Sequence, residues 1–159
     1  MPISSMYAPN LAAVCIDRFN EQDAAGRIYS RISEEPINFS SILQMIEHMD
    51  HYYDRVNFPQ AANEIRSFNR NANKKRQETK TRETAMVDIE KVTKQRGREG
   101  TFIVHVQYRQ HATWQGQVIW VEKNKAQKFR SVLELLKLID DALETSEEPE
   151  EEQETIASN

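Results

Sequence analysis

Two stretches of this chain alternate apolar and polar residues with the period of a strand, and each is followed by a stretch with the period of a helix. In the first, residues 11–19 read as a strand rich in small and β-branched residues, residues 20–25 as a polar turn, and residues 26–32 as a second alternating strand. A connection through Glu34, Glu35 and Pro36 leads to a helix over about residues 41–56, whose apolar stripe is Ile42, Met45, Ile46, Met49, Tyr53 and Val56. Asn57 and Pro59 end it, and Pro59 opens a short further helix through Ala62, Ile65 and Phe68.

The second stretch is written more clearly. Over residues 101–109 Phe102, Val104, Val106 and Tyr108 share one face, with Ile103, His105, Gln107 and Arg109 on the other. Residues 111–114 make the turn. Residues 115–122 then place Val118 and Trp120 opposite Gln115, Gln117, Ile119 and Val121, and residues 124–128 read as a loop. Ser131 and Glu134 form a capping box that starts a helix to about Glu144, with the stripe Val132, Leu135, Leu136, Ile139 and Leu143.

Laid over one another with no gaps, residues 11–50 and 101–140 match Val14 with Val104, Gly26 with Gly116, Phe39 with Phe129, Ser41 with Ser131, Leu43 with Leu133 and Asp50 with Asp140. Roughly two or three such identities arise by chance, so it is the matched apolar positions, Ile28 with Val118 and Met45 with Leu135 among them, that carry the repeat. A lone hairpin is marginal and one helix cannot enclose it, so each half needs the other. The expectation is an α+β domain of two ββα units, their hairpins joined edge to edge in a four-stranded antiparallel sheet with both helices packed on one face. Residues 1–68 form the first unit plus the short helix, 69–100 a basic flexible insertion or linker, 101–144 the second unit, and 145–159 a disordered acidic tail.

Composition sharpens this division more than it identifies a function. The 159 residues suffice for one domain and hold no apolar run near the ~18 residues of a membrane span. No basic cluster precedes an apolar stretch at the N-terminus, so a secretory signal is not expected, and a cytoplasmic protein is the simplest reading. Cys15 is the only cysteine, which excludes an internal disulfide and a cysteine-based zinc site. The net charge of −4 conceals segregation: six glutamates lie in the last fifteen residues, while eleven of the twenty-one basic residues lie between Arg66 and Arg98.

The residues Tyr108, Arg109, Gln110, Trp114, Gln115, Gly116, Trp120, Glu122, Gln127, Phe129, Arg130, Ser131, Leu133, Glu134 and Leu135 resemble a short C-terminal module in small bacterial proteins of unassigned function. The resemblance covers roughly a third of the chain. It implies a bacterial, cytosolic setting and no activity.

Candidate chemistry is sparse. Glu47, His51 and Asp54 follow helical spacing and present one imidazole and two carboxylates, but they lie opposite the apolar stripe, where a solvated face explains them better than a metal site. His105 and His111 flank the second hairpin without an Asp or Glu between residues 101 and 121 to orient either for acid–base work. With four glycines, no phosphate-binding loop or nucleophile elbow is written, and no cofactor is expected.

Trp120 alternates with Val118 and reads as core, whereas Trp114 in the turn reads as exposed. With Tyr108, Arg109, Gln115 and Gln117 it would form a polar and aromatic binding patch on the outer hairpin. Leu43, Leu133 and Leu138 fall outside the helix stripes, which means a wider contact: helix against helix within the monomer is favoured over another chain. The segment with Arg70, Lys74, Lys75, Arg76, Lys80 and Arg82 is the argument for a nucleic-acid partner, although ordinary linkers are also basic and five acids between Arg66 and Gly100 dilute it. A twisted sheet backed by helices is also used by single-strand binders, by analogy of fold alone. The sequence therefore reads as a non-enzymatic binding or regulatory module that recognises a protein partner, a second copy included. The alternative is a nucleic-acid-binding protein using segment 70–82 and the outer sheet face.

Overall fold

The computed structural model describes residues 10–20, 23–56, 87–109 and 113–147, together with the single position 68. Six strands form one antiparallel sheet: β1 Leu11–Asn20, β2 Asp23–Ser30, β3 Ile37–Phe39, β4 Gly100–Tyr108, β5 Gln115–Trp120 and β6 Lys125–Phe129, in the spatial order β3-β2-β1-β4-β5-β6. Among the described residues three helices accompany them: α1 Ile42–Val56, α2 Ile89–Thr93 and α3 Val132–Glu147.

The α+β class and the edge-to-edge junction through β1 and β4 agree with the sequence, but the sheet has six strands rather than four. The loop expected over residues 124–128 is largely β6, which pairs with β5 from Gly116↔Phe129 to Trp120↔Lys125. Residues 125–128 are exposed, so no apolar alternation marks this edge strand, and its two lysines suit an edge that must not recruit further strands. β3 is only three residues long and follows Pro36.

Pairing in the two hairpins follows one pattern. Val14 opposes Ile28 and Ile16 opposes Gly26, and ninety residues on Val104 opposes Val118 and Val106 opposes Gly116. A register shift interrupts β1 between Ile16 and Arg18 and β4 between Val106 and Tyr108. Between the halves, Ala13↔Ile103 is the central pair, with Ala12↔Val104 on one side and Val14↔Phe102 on the other.

One face of the sheet carries α1 and α3. Ala12, Val14, Ile16, Ile28, Phe102, Val104, Val106 and Val118 meet Met45, Met49, Tyr52 and Tyr53 of α1 and Leu135, Ile139, Ala142 and Leu143 of α3 in a single core. The helix starts are fixed by side chains: Ser41 Oγ accepts from the Gln44 N–H at 3.2 Å, Asp23 Oδ1 from the Ile42 N–H at 2.8 Å, and Ser131 Oγ from the Glu134 N–H at 3.0 Å. Tyr52 Oη donates to the Leu11 carbonyl at 3.0 Å, tying α1 to the start of β1. No helix among the described residues is long and apolar enough to cross a membrane.

The opposite face bears α2. Val92 is buried there against Leu11, Ala13 and Ile103, with Val87, Ile89, Ile119 and Val121 around it. The C-terminal part of the expected linker is thus packed rather than loose: the Val87 N–H donates to the Arg31 carbonyl and the Glu99 N–H to the Ile16 carbonyl at 2.8 Å. Residues 69–86, the acidic segment 148–159 and the short helix expected through Ala62 and Ile65 lie outside the described residues.

Because β1 and β4 adjoin at the sheet centre and both helices share one core, the halves should unfold together. Val14 and Val104 are fully buried, so Val14→Asp or Val104→Asp introduces an unpaired interior charge. Both tryptophans lie in the second half. Loss of their native fluorescence on Val14→Asp, coincident with loss of circular dichroism, is the expected result, and separate transitions for the two halves would refute it.

Candidate binding surfaces and the buried Arg109 cluster

The register shift in β4 decides where the candidate residues point. Val106 faces the helices, and strict alternation would turn Arg109 to the opposite face. The bulge adds one residue and reverses the parity, so Tyr108 turns outside and Arg109 enters the core. The same shift in β1 turns Phe19 toward the helices.

Arg109 is 4 % exposed, and its Nη1 donates to Asp54 Oδ1 at 2.9 Å and lies 3.5 Å from Asp50 Oδ1. Its guanidinium sits 5.9 Å from the Tyr53 ring centroid, and the Trp114 ring meets Tyr53 edge-on at 5.4 Å. Burial pushes the Tyr53 phenol well above its ordinary value, so the ring stays neutral. Asn10 is buried and donates through Nδ2 to the Val106 carbonyl.

Two expectations are corrected here. Trp114, expected to be exposed in the turn, is 5 % exposed, because its ring packs edge-on against Tyr53 of α1. Asp54, expected on a solvated helix face, is buried as the partner of Arg109. A helical wheel drawn from the apolar stripe alone cannot show that a cation from another element covers the next position. Among the described residues no three His, Cys, Asp or Glu side chains are grouped to hold a metal ion.

Tyr108, by contrast, is 55 % exposed, and it pairs with Gln115. Gln115 and Gln117 are half-buried. Register and parity align His105, Gln117 and Lys128 in a row across β4, β5 and β6 on the face away from α1 and α3. Burial lowers the pKa of the His105 imidazole, which favours the neutral ring. Lys128 joins this row only because β6 is a strand; in a loop it would have no fixed face.

In the first half the equivalent outer face is partly covered by the chain itself. Arg27 donates to Asp17 Oδ2 at 2.9 Å, to Tyr29 Oη at 2.7 Å and to the Arg96 carbonyl at 2.9 Å, while the Arg98 N–H donates to Asp17 Oδ1 at 3.2 Å. The Asp17 carboxyl loses hydration there, yet Arg27 and the Arg98 N–H hold it below the usual carboxylate range. Cys15, also on this face, is fully buried, and burial raises its thiol to about 11.

On the helix side, Leu43 and Leu133 are 68 % and 61 % exposed. The favoured expectation, that they pack helix against helix, is therefore wrong. Leu138 is half-buried against the main core. Arg70, Lys74, Lys75, Arg76, Lys80 and Arg82 lie outside the described residues.

Compared with protein-family models, with curated proteins and with solved structures, the chain matches none. Its own surfaces are what bear on function.

Proposed function

We propose that this protein is a non-enzymatic binding module, built from an internal duplication of a βββα unit, that recognises a protein partner through its helix side. The observation that carries the reading is the exposure of Leu43 and Leu133, leucines at matching positions of α1 and α3. Each stands next to a half-buried apolar neighbour of the next turn, Ile46 and Leu136, so the apolar surface continues from the core outward rather than ending at it. Bare leucines on two helices of one layer offer a partner two anchors at once. The groups best suited to chemistry, Arg109, Asp54 and Tyr53, are occupied in joining α1 to the second hairpin. A cytoplasmic location fits the single buried thiol.

Replacing Leu43 or Leu133 by glutamate should leave folding stability unchanged within about 0.5 kcal/mol, since both positions are already in water. Each should weaken the partner complex by about 2 kcal/mol. The experiment is quantitative capture with wild-type and variant protein under nuclease treatment, with sedimentation analysis of the purified chain to register a second copy as the partner. A partner set identical for wild type and both variants, with no shift in sedimentation, would sink the reading.

A further inference from the structure

The outer face of β4, β5 and β6 differs from its counterpart over β1, β2 and β3 in ways that the fold does not require. Where the first half has Asp17, Arg18, Arg27, Asn38 and Ser40, the positions ninety residues on hold Gln107, Tyr108, Gln117, Lys128 and Arg130. Within the first set Asp17 neutralises Arg27 and the segment before β4 lies over that pair, while Arg18, Asn38 and Ser40 are exposed. The second set lacks that carboxylate, and Tyr108, Lys128 and Arg130 are exposed to solvent. No Asp or Glu occurs in residues 101–121, and Arg130, which follows β6, lies 3.9 Å from Glu134 in the first turn of α3.

These side chains form two rows across the strands. Tyr108 and Gln115 make one row, and His105, Gln117 and Lys128 the next, about 7 Å away by strand geometry. An exposed aromatic ring, amides with both donors and acceptors, and cations beyond them match the three chemical parts of an unpaired nucleotide: a base face to stack on, base edges to hydrogen-bond and a phosphate to neutralise. An acidic peptide would use the cations and leave the ring and amides idle. A duplex presents its bases edge-on inside a groove, where a flat sheet face cannot stack on them.

We propose that this face binds single-stranded nucleic acid, with a base on Tyr108, base edges against Gln115 and Gln117, and phosphates on Lys128 and Arg130. The site is separate from the helix side and does not depend on the partner proposed there.

The test is fluorescence anisotropy of the full-length chain with labelled twelve-nucleotide oligo-dT, a mixed-sequence RNA of the same length and a matching DNA duplex, over a salt series. Both single strands should bind more tightly than the duplex, and their ratio shows whether DNA or RNA is preferred. Tyr108→Ala should weaken single-strand binding about tenfold while Tyr108→Phe retains it, because the ring and not the hydroxyl stacks. Lys128→Ala with Arg130→Ala should reduce the slope of log affinity against log salt by about 1.4, at about 0.7 for each phosphate that no longer meets a cation. Both cations are exposed, so these variants fold. Leu43→Glu should change nothing here, which keeps a failure of the helix-side reading apart from a failure of this one. Absence of single-strand binding at low salt, preference for the duplex, or binding that ignores Tyr108 and Lys128 but is abolished on replacing Lys74, Lys75 and Arg76 would each overturn the proposal.

Discussion

Arg109→Ala is expected to destabilise the protein by about 3–5 kcal/mol, although no ligand-binding role attaches to the residue. The variant leaves Asp54 buried without its 2.9 Å partner and Asp50 without the charge beside it. The pair as a whole contributes far less than that figure, because desolvating both ions offsets most of their attraction. Arg109→Met combined with Asp54→Leu should therefore regain nearly all of the loss, to within about 1 kcal/mol of the original stability. The first half already shows an apolar arrangement at the matching place, with Phe19 packed against the core beside Ala24, Ile139 and Leu143. Urea denaturation of the two single variants and the double variant closes the cycle. If Arg109→Ala costs under about 1 kcal/mol, or the double variant is no better than the worse single one, the cluster does not hold α1 to the second hairpin.

The elements are legible wherever burial writes a period into the chain. β2, β5, α1 and α3 bury chiefly one face, β1 and β4 bury both over most of their length, and all six stand within a few residues of their expected bounds. β6 keeps one residue in the core, Phe129, and exposes the rest, so its place in the sheet depends on backbone pairing that leaves no mark on residue type. The packed part of the connecting segment is legible only as scattered apolar residues. Val87, Ile89 and Val92 fit a turn or two of helix, yet nothing in their spacing names the outer sheet face as their destination.

The candidate surfaces are less legible, and for one physical reason. Period-two reasoning assigns faces correctly up to a bulge and wrongly beyond it, which is how Arg109 belongs to the core rather than the expected outer patch, while Tyr108, set by strict alternation on the face of Val104 and Val106, lies outside. Trp114 packs against Tyr53 of α1, a contact between distant elements that its place in the turn does not reveal. Leu43 and Leu133 stand out in the sequence as surplus to the stripe, but a sequence cannot say whether such a surplus meets a neighbouring helix or water.

The bulges themselves leave one trace in the sequence, the glycines matched between the halves, and these support the second large effect. Gly116→Ala should cost about 3 kcal/mol, at the upper end of what overpacking does, because a Cβ there falls 2.0 Å from the His105 carbonyl oxygen and 2.9 Å from Val106 Cα. Gly26→Ala meets the Cys15 carbonyl oxygen at 1.9 Å and should cost as much. Neither neighbour is a side chain that can swing aside; the strands must separate where β4 and β1 bulge. Gly100→Ala is the control, since its nearest neighbours are the ends of the Leu143 and Phe102 side chains at 3.1 and 3.3 Å, and it should lose less than about 1 kcal/mol. The effects should also differ in kind: spreading the β4–β5 pair undoes the parity switch that aims Arg109 at Asp54, so in Gly116→Ala the added cost of Arg109→Ala shrinks, whereas in Gly26→Ala it stays whole. Chemical denaturation of the three glycine variants, alone and with Arg109→Ala, measures this. Equal losses for Gly116→Ala and Gly100→Ala would show that close backbone approach at the bulge is not what demands glycine, and full additivity between Gly116→Ala and Arg109→Ala would show that the bulge does not position the buried cation.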